Sequence, residues 1–137
     1  MSISLGYPDA EAERQLLISD ERRDILSHLT ASLNENDLFE IQNQVRHITV
    51  SDDLLDYVQA IISYSRNSGI FQYGLSPRAG LALLHVSKAW AMLNDRDFVV
   101  PEDVQAVLPS VVRHRLHPVD PDSTQTVESL LHDVAIP

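Results

Sequence analysis

Residues 74–93, GLSPRAGLALLHVSKAWAML, restrict the fold of this chain more than any other stretch. Ser76 is a residue type that caps helix N-termini, Pro77 suits a first turn, and the alanines and leucines beyond them carry a helix to about Leu93. Its apolar side, read as Leu81, Leu83, Leu84, Val86, Ala89, Trp90 and Leu93, is broad enough for the central buried helix of a bundle, with Trp90 as a core anchor. One residue breaks the local rules. Arg78 stands in the first turn, where the helix dipole is positive and a cation costs about 0.3–1 kcal/mol.

Helical signals dominate the remaining segments, and sustained strand alternation is scarce. Pro8, Asp9, Glu11 and Glu13 mark a helix start whose apolar face begins at Leu16 and Leu17. Residues 19–35 are polar with apolar positions at Ile25, Leu26 and Leu29, which suggests a short helix running into a mobile loop. Leu38, Ile41 and Val45 predict another short helix. Ser51 caps the next, whose stripe is Leu54, Leu55, Val58, Ile61 and Ile62. Pro101, Glu102 and Asp103 open a helix that Pro109 is expected to break, leaving residues 109–116 as separate turns. Val127, Leu130, Leu131 and Val134 fit a last amphipathic helix. The segments HITV (47–50) and FVV (98–100) can pair as a short two-stranded β ribbon. The expected fold is all-α, a small helical bundle with at most that ribbon.

Charge and composition exclude several classes of function. The chain has 137 residues, enough for one domain with a real core, and a net charge of −10. Residues 1–60 hold twelve acids against four bases, residues 61–117 four against six, and residues 118–137 four against none. Nucleic-acid affinity comes mainly from clustered lysine and arginine, so so acidic a chain is not expected to bind DNA or RNA. An anion is expected only in the middle segment, which holds Arg78, Lys88, Arg96, Arg113 and Arg115. There is no cysteine, hence no disulfide or thiol chemistry. No apolar run is long enough to span a bilayer, and the N-terminus lacks the pattern of a signal peptide. A cytoplasmic location is the expectation.

The usual signatures of catalysis are missing. The single lysine, Lys88, has no glycine-rich phosphate loop before it, and neither a zinc-protease helix motif nor a nucleophile elbow occurs. His114, His117 and His132, with Asp120 and Asp122, form no ligand set of defined spacing, so no metal site is expected. Taken alone, the chain does not read as a complete enzyme.

Four stretches in order, SLGYPDAEAERQLL (4–17), VSDDLLDYV (50–58), GLSPRAGLALLHVSKAWAMLNDRDFVVPEDVQAVLPSVVRHRL (74–116) and LLHDVAIP (130–137), resemble the C-terminal lid of MoxR-type AAA+ ATPases. The long third block is the specific one. The resemblance implies a lid fragment, with residues 1–8 as the junction from a nucleotide-binding core outside this chain and residues 9–137 as the helical lid. It implies that ATP and magnesium belong to that core, none being expected in the isolated chain. Within the motif G-x-S-P-R-A, Gly74 to Ala79, Arg78 falls on the sensor 2 arginine, which approaches the nucleotide's phosphates. An anion at that helix end would turn the dipole penalty on Arg78 into a benefit, as backbone N–H groups and the guanidinium converge on it.

The family also implies partners. Gly6, Tyr7 and Pro8 match the junction near which AAA+ proteins hold adenine, a hinge and base contact. Of Arg113 and Arg115, at most one is expected to face nucleotide or neighbour, since alternating helical positions diverge. Expected partners are the protein's own AAA+ core, neighbouring subunits of a ring, usually hexameric, and an unidentified client protein matured or loaded with a metal cofactor. Two alternatives have their own signatures. An independent helical interaction module needs an exposed apolar groove unrelated to Arg78, and a small metal-dependent enzyme needs the histidines to converge. The alternative to a phosphate contact for Arg78 is an ion pair with a nearby carboxylate.

Overall fold

The computed structural model describes residues 1–18, 28–120, 127 and 129–136. Six helices occur among them: α1 (Ala10–Ile18), α2 (Glu35–His47), α3 (Asp52–Asn67), α4 (Pro77–Leu93), α5 (Pro101–Val112) and α6 (Ser129–Asp133). The helix expected around Ile25 and Leu26 lies outside the described residues.

Local chemistry sets the helix starts. The Asp9 carboxylate accepts from the Ala12 N–H at 2.8 Å and begins α1. Asn34 and Asp37 form a reciprocal capping box at the start of α2, at 3.0 and 2.9 Å. Ser51 caps α3 at the Leu54 N–H, and Ser76 caps α4 at the Ala79 N–H, each at 3.2 Å.

α4 and α5 form a hairpin with the most extensive helix-to-helix contact, and α3 packs on both. α2 lies against α4 along a narrow half-buried stripe of Ile41 and Val45, and no residue of α1 is buried. The core gathers Leu54, Tyr57, Val58 and Ile61 from α3, Leu83 and Ala91 from α4, and Val104, Val107, Leu108, Val111 and Val112 from α5. Val127, Leu130 and Val134 add the C-terminal segment, where the Tyr64 hydroxyl donates to Asp133. That hydrogen bond, helped by partial burial and the carboxylate's charge, raises the Tyr64 hydroxyl above its ordinary pKa. In place of a ribbon, Thr49 and Phe98 make one parallel bridge, with hydrogen bonds of 2.8 Å from the Thr49 N–H to Asp97 and 3.0 Å from Val99 to Thr49.

Two expectations are corrected. Pro109 does not end its helix: α5 runs through it to Val112, and the Arg113 N–H returns to the Pro109 carbonyl at 3.0 Å. An interior proline costs about 3 kcal/mol, whereas each large apolar side chain fully buried contributes about 1.5–3 kcal/mol. Leu108, Val111 and Val112, all fully buried around Pro109, therefore outweigh it. Nor does Trp90 anchor the core. It is 44 % exposed, and Leu81 and Leu93 are more so. Leu83 is fully buried as expected, but the rest of the buried side of α4 is Ala79, Gly80, Ser87 and Ala91, small residues that let neighbouring helices approach closely. Ser87 keeps its buried hydroxyl satisfied by donating to Leu83 one turn back, at 2.9 Å.

Candidate functional site

The hairpin sorts charge by end. The residues after α5 run beside those before α4: the Gln72 N–H meets the His117 carbonyl at 2.9 Å and the Val119 N–H meets Ile70 at 2.8 Å. One end of the bundle thus collects the C-terminus of α3, the N-terminus of α4 and the C-terminus of α5, bringing Arg66, Arg78, Arg113 and Arg115. The opposite end carries Asp52, Asp53 and Asp56 of α3, Asp95 and Asp97 after α4, and Glu102 and Asp103 of α5, with Arg96 paired to Asp103 among them.

Arg78 is exposed at the basic end and, among the described residues, its guanidinium makes no hydrogen bond or ion pair. The carboxylate partner considered for it is therefore not found among them. The amide arrangement is narrower than expected. Pro77 has no N–H and Ser76 takes that of Ala79, so the Arg78 N–H is the first-turn donor left beside its guanidinium.

The backbone that carries Arg78 is fixed on both sides. Before it, Leu75 is buried, its N–H donates to the Ser65 hydroxyl at 3.0 Å, and its carbonyl accepts from Arg66 Nε at 2.9 Å. The buried Ser65 in turn donates to the Ile62 carbonyl at 2.6 Å. After it, Gly80 packs on Ile62. Ser65, Arg66 and Gly80 carry no signal in the sequence analysis, and Gly74 enters it only as the first residue of the motif around Arg78.

The two glycines make opposite predictions. A Cβ at Gly74 would lie 2.7 Å from the Arg66 Cα and 2.8 Å from its backbone nitrogen, which cannot move alone. Gly74→Ala is expected to cost about 1–3 kcal/mol. At Gly80 a Cβ would meet the Ile62 side chain, crowding its Cδ1 at 2.4 Å, the end of a side chain that can turn away. A helical alanine gains about 1 kcal/mol over glycine, so Gly80→Ala is expected to be near neutral. Urea unfolding of the two variants checks this, and equal losses would contradict it.

The other named residues are more dispersed. Arg115 Nε donates back to the Val111 carbonyl at 3.1 Å, closing the end of α5. Arg113, with Pro109, Ser110 and His114, lines a shallow pocket against Ser2, Ile3 and Ser4, where the Ser2 N–H meets the Ser110 carbonyl at 2.6 Å. The segment before Gly6 thus reaches the basic end. Gly6 itself has φ +69°, a left-handed turn that favours glycine, and Tyr7 is fully exposed. Pro8 is exposed as well.

Among the described residues no three His, Asp or Glu side chains converge as metal ligands, and no helix is long and apolar enough to cross a membrane. A groove between α2 and α4 is lined by the apolar Ile41, Val45 and Ala89 together with the polar Gln42, Arg46, His85 and Lys88.

Residues 63–134 match the family described as the AAA lid domain. The chain is 30% identical over 118 residues to the uncharacterized protein YeaC of Bacillus subtilis, covering 85% of this chain and 37% of that protein. It is 30% identical over 128 residues to Chaperone MoxR1 of Mycobacterium tuberculosis, covering 83% and 32%. In structure it resembles a candidate ATPase from Cytophaga hutchinsonii, with a TM-score of 0.71 and 26% identity over 97% of this chain and 45% of that one. The chain thus spans about a third of the length of the curated relatives it matches.

Proposed function

The chain belongs to the AAA lid domain family, and we propose that it works as the C-terminal lid of a MoxR-type AAA+ ATPase, with Arg78 as the sensor 2 arginine. The observation that carries this reading is an exposed arginine, without an ion partner among the described residues, at the start of a helix held in the core. A guanidinium so placed meets phosphate oxygens in pairs, with the Arg78 N–H as a further donor. It fits a phosphate better than it fits its own helix, whose dipole disfavours it.

Arg78 then couples nucleotide state to geometry. Phosphate charge on the core draws the guanidinium, and α4 passes that pull to α3 and α5 as one packed body. Loss of the charge on hydrolysis releases it, and the left-handed turn at Gly6 offers a hinge. Residues 1–8 serve as the junction, with Gly6, Tyr7 and Pro8 toward the base, and residues 9–137 as the lid. The exposed Leu5, Tyr7, Leu17 and Ile18 supply apolar surface for the core to cover. ATP and magnesium are held by that core, and the assembly is a cytoplasmic ring, hexameric in this reading, acting on a client protein as a chaperone or in metal-cofactor insertion.

The α2–α4 groove is the feature that an independent interaction module would use, and it lies along the middle of α4, away from Arg78. A lid can carry both. The test is a division of labour. The chain joined to its nucleotide-binding core is expected to hydrolyse ATP, and the 137-residue chain alone to release no phosphate above a buffer blank. Release from the rigorously purified chain alone would overturn it.

A further inference from the structure

Both polar groups of a single peptide residue, Leu75, are held by consecutive residues of α3: Ser65 accepts from its N–H at 3.0 Å and Arg66 Nε donates to its carbonyl at 2.9 Å. Leu75 lies three residues before Arg78 and next to the cap Ser76. Gly74, the residue before it, lies directly on the Arg66 backbone. From these contacts we infer that Arg66 is a positioning residue: its Nε–H fixes the height and rotation at which α4 begins, and thereby the place of the Arg78 guanidinium. The inference rests on the phosphate reading of Arg78.

The chemistry separates this role from a direct anion contact. Arg66 uses Nε, the nitrogen nearest its stem, on Leu75. A glutamine places its amide nitrogen at the same distance along the side chain, so Arg66→Gln keeps a donor for Leu75 without the charge. Arg66→Met keeps the stem that lies against Gly74 and loses the donor. A misplacement of about 1 Å in a reacting group can cost on the order of 10²-fold in rate, so loosening one of two fastenings is expected to cost roughly tenfold. Ser65→Ala, which releases the Leu75 N–H, acts in the same direction.

The experiment measures ATP hydrolysis by the chain joined to its core, in the parent and in an Arg78→Ala background. Arg66→Met and Ser65→Ala are expected to lower turnover roughly tenfold in the parent and to add nothing once Arg78 is gone, while Arg66→Gln restores most of the rate. A second readout needs no nucleotide. In the 137-residue chain, amide hydrogen exchange at residues 74–76 is expected to rise about tenfold or more in Arg66→Met and to stay near the parent's in Arg66→Gln. A glutamine variant as impaired as the methionine would show that Arg66 acts through its charge and overturn the inference. So would a methionine loss that persists without Arg78, or exchange that does not change. Hydrolysis untouched by Arg78→Ala would instead overturn the phosphate reading itself.

Discussion

In the chain joined to its nucleotide-binding core, Arg78→Ala is expected to lower ATP hydrolysis roughly 10²–10³-fold, the loss that follows removal of one donor to a transition state, while weakening ATP binding less. The lid itself is not expected to suffer. Arg78 has no ion partner among the described residues, and its removal lifts a dipole penalty, so the variant 137-residue chain should melt at or slightly above the parent. An Arg78 held as a structural ion pair would give the reverse, a less stable lid with near-normal turnover. Arg78→Lys separates charge from geometry. Lysine keeps the charge and loses the planar fork, so it is expected to remain substantially impaired. Full activity in the lysine variant would mean that positive potential alone suffices.

The largest stability effect is expected at the other end of the hairpin. Asp103 is buried, and its carboxylate takes Arg96 in a two-point pair at 2.6 and 2.5 Å and the Val100 N–H at 2.9 Å. It therefore starts α5 from its third position and ties that start to the turn after α4. Removing it strands a guanidinium and an amide, and Asp103→Ala is expected to cost about 3 kcal/mol. That corresponds to a fall of roughly 10 °C in Tm for a chain of this size. Asp97→Ala, exposed on the same turn, should stay within about 0.5 kcal/mol of the parent.

The same carboxylate gives a pH signature. Burial pushes the Asp103 carboxyl up, but the Arg96 guanidinium and the Val100 N–H outweigh it and hold the carboxyl below the ordinary range. A depressed folded-state pKa contributes stability that is fully present above the unfolded value, about 3.9, and is lost as pH falls through the folded value. The stability gap between the parent and Asp103→Asn should therefore be constant near neutrality and shrink below about pH 4. A gap independent of pH down to pH 2 would contradict the pairing.

Legibility from sequence followed the range of the interactions. The caps Asp9, Ser51 and Ser76 act within three residues, and the helices they start were readable directly. The sequence places α4 at Pro77–Leu93, but large apolar side chains such as Leu81, Trp90 and Leu93 do not mark its buried side. Close packing selects Ala79, Gly80, Ser87 and Ala91 beside Leu83, and only the fold shows that Gly80 faces Ile62 on α3. Pro109 was misread for the opposite reason: the local rule is real, and the tertiary burial of its neighbours exceeds it. Arg78 stands out in the sequence because a cation in a first turn breaks a local rule. Ser65 and Arg66 break none, and their role depends on a chain reversal that brings Leu75 back onto them.

In the proposed reading Arg78 touches the bound nucleotide, and a structure of the chain joined to its core with a non-hydrolysable ATP analogue shows whether it does. The expected result is an Arg78 guanidinium nitrogen about 2.7–2.9 Å from a phosphate oxygen, the spacing of a charge-assisted hydrogen bond. An Arg78 paired with a carboxylate or turned to solvent, with the phosphates held entirely by other residues, would contradict the account.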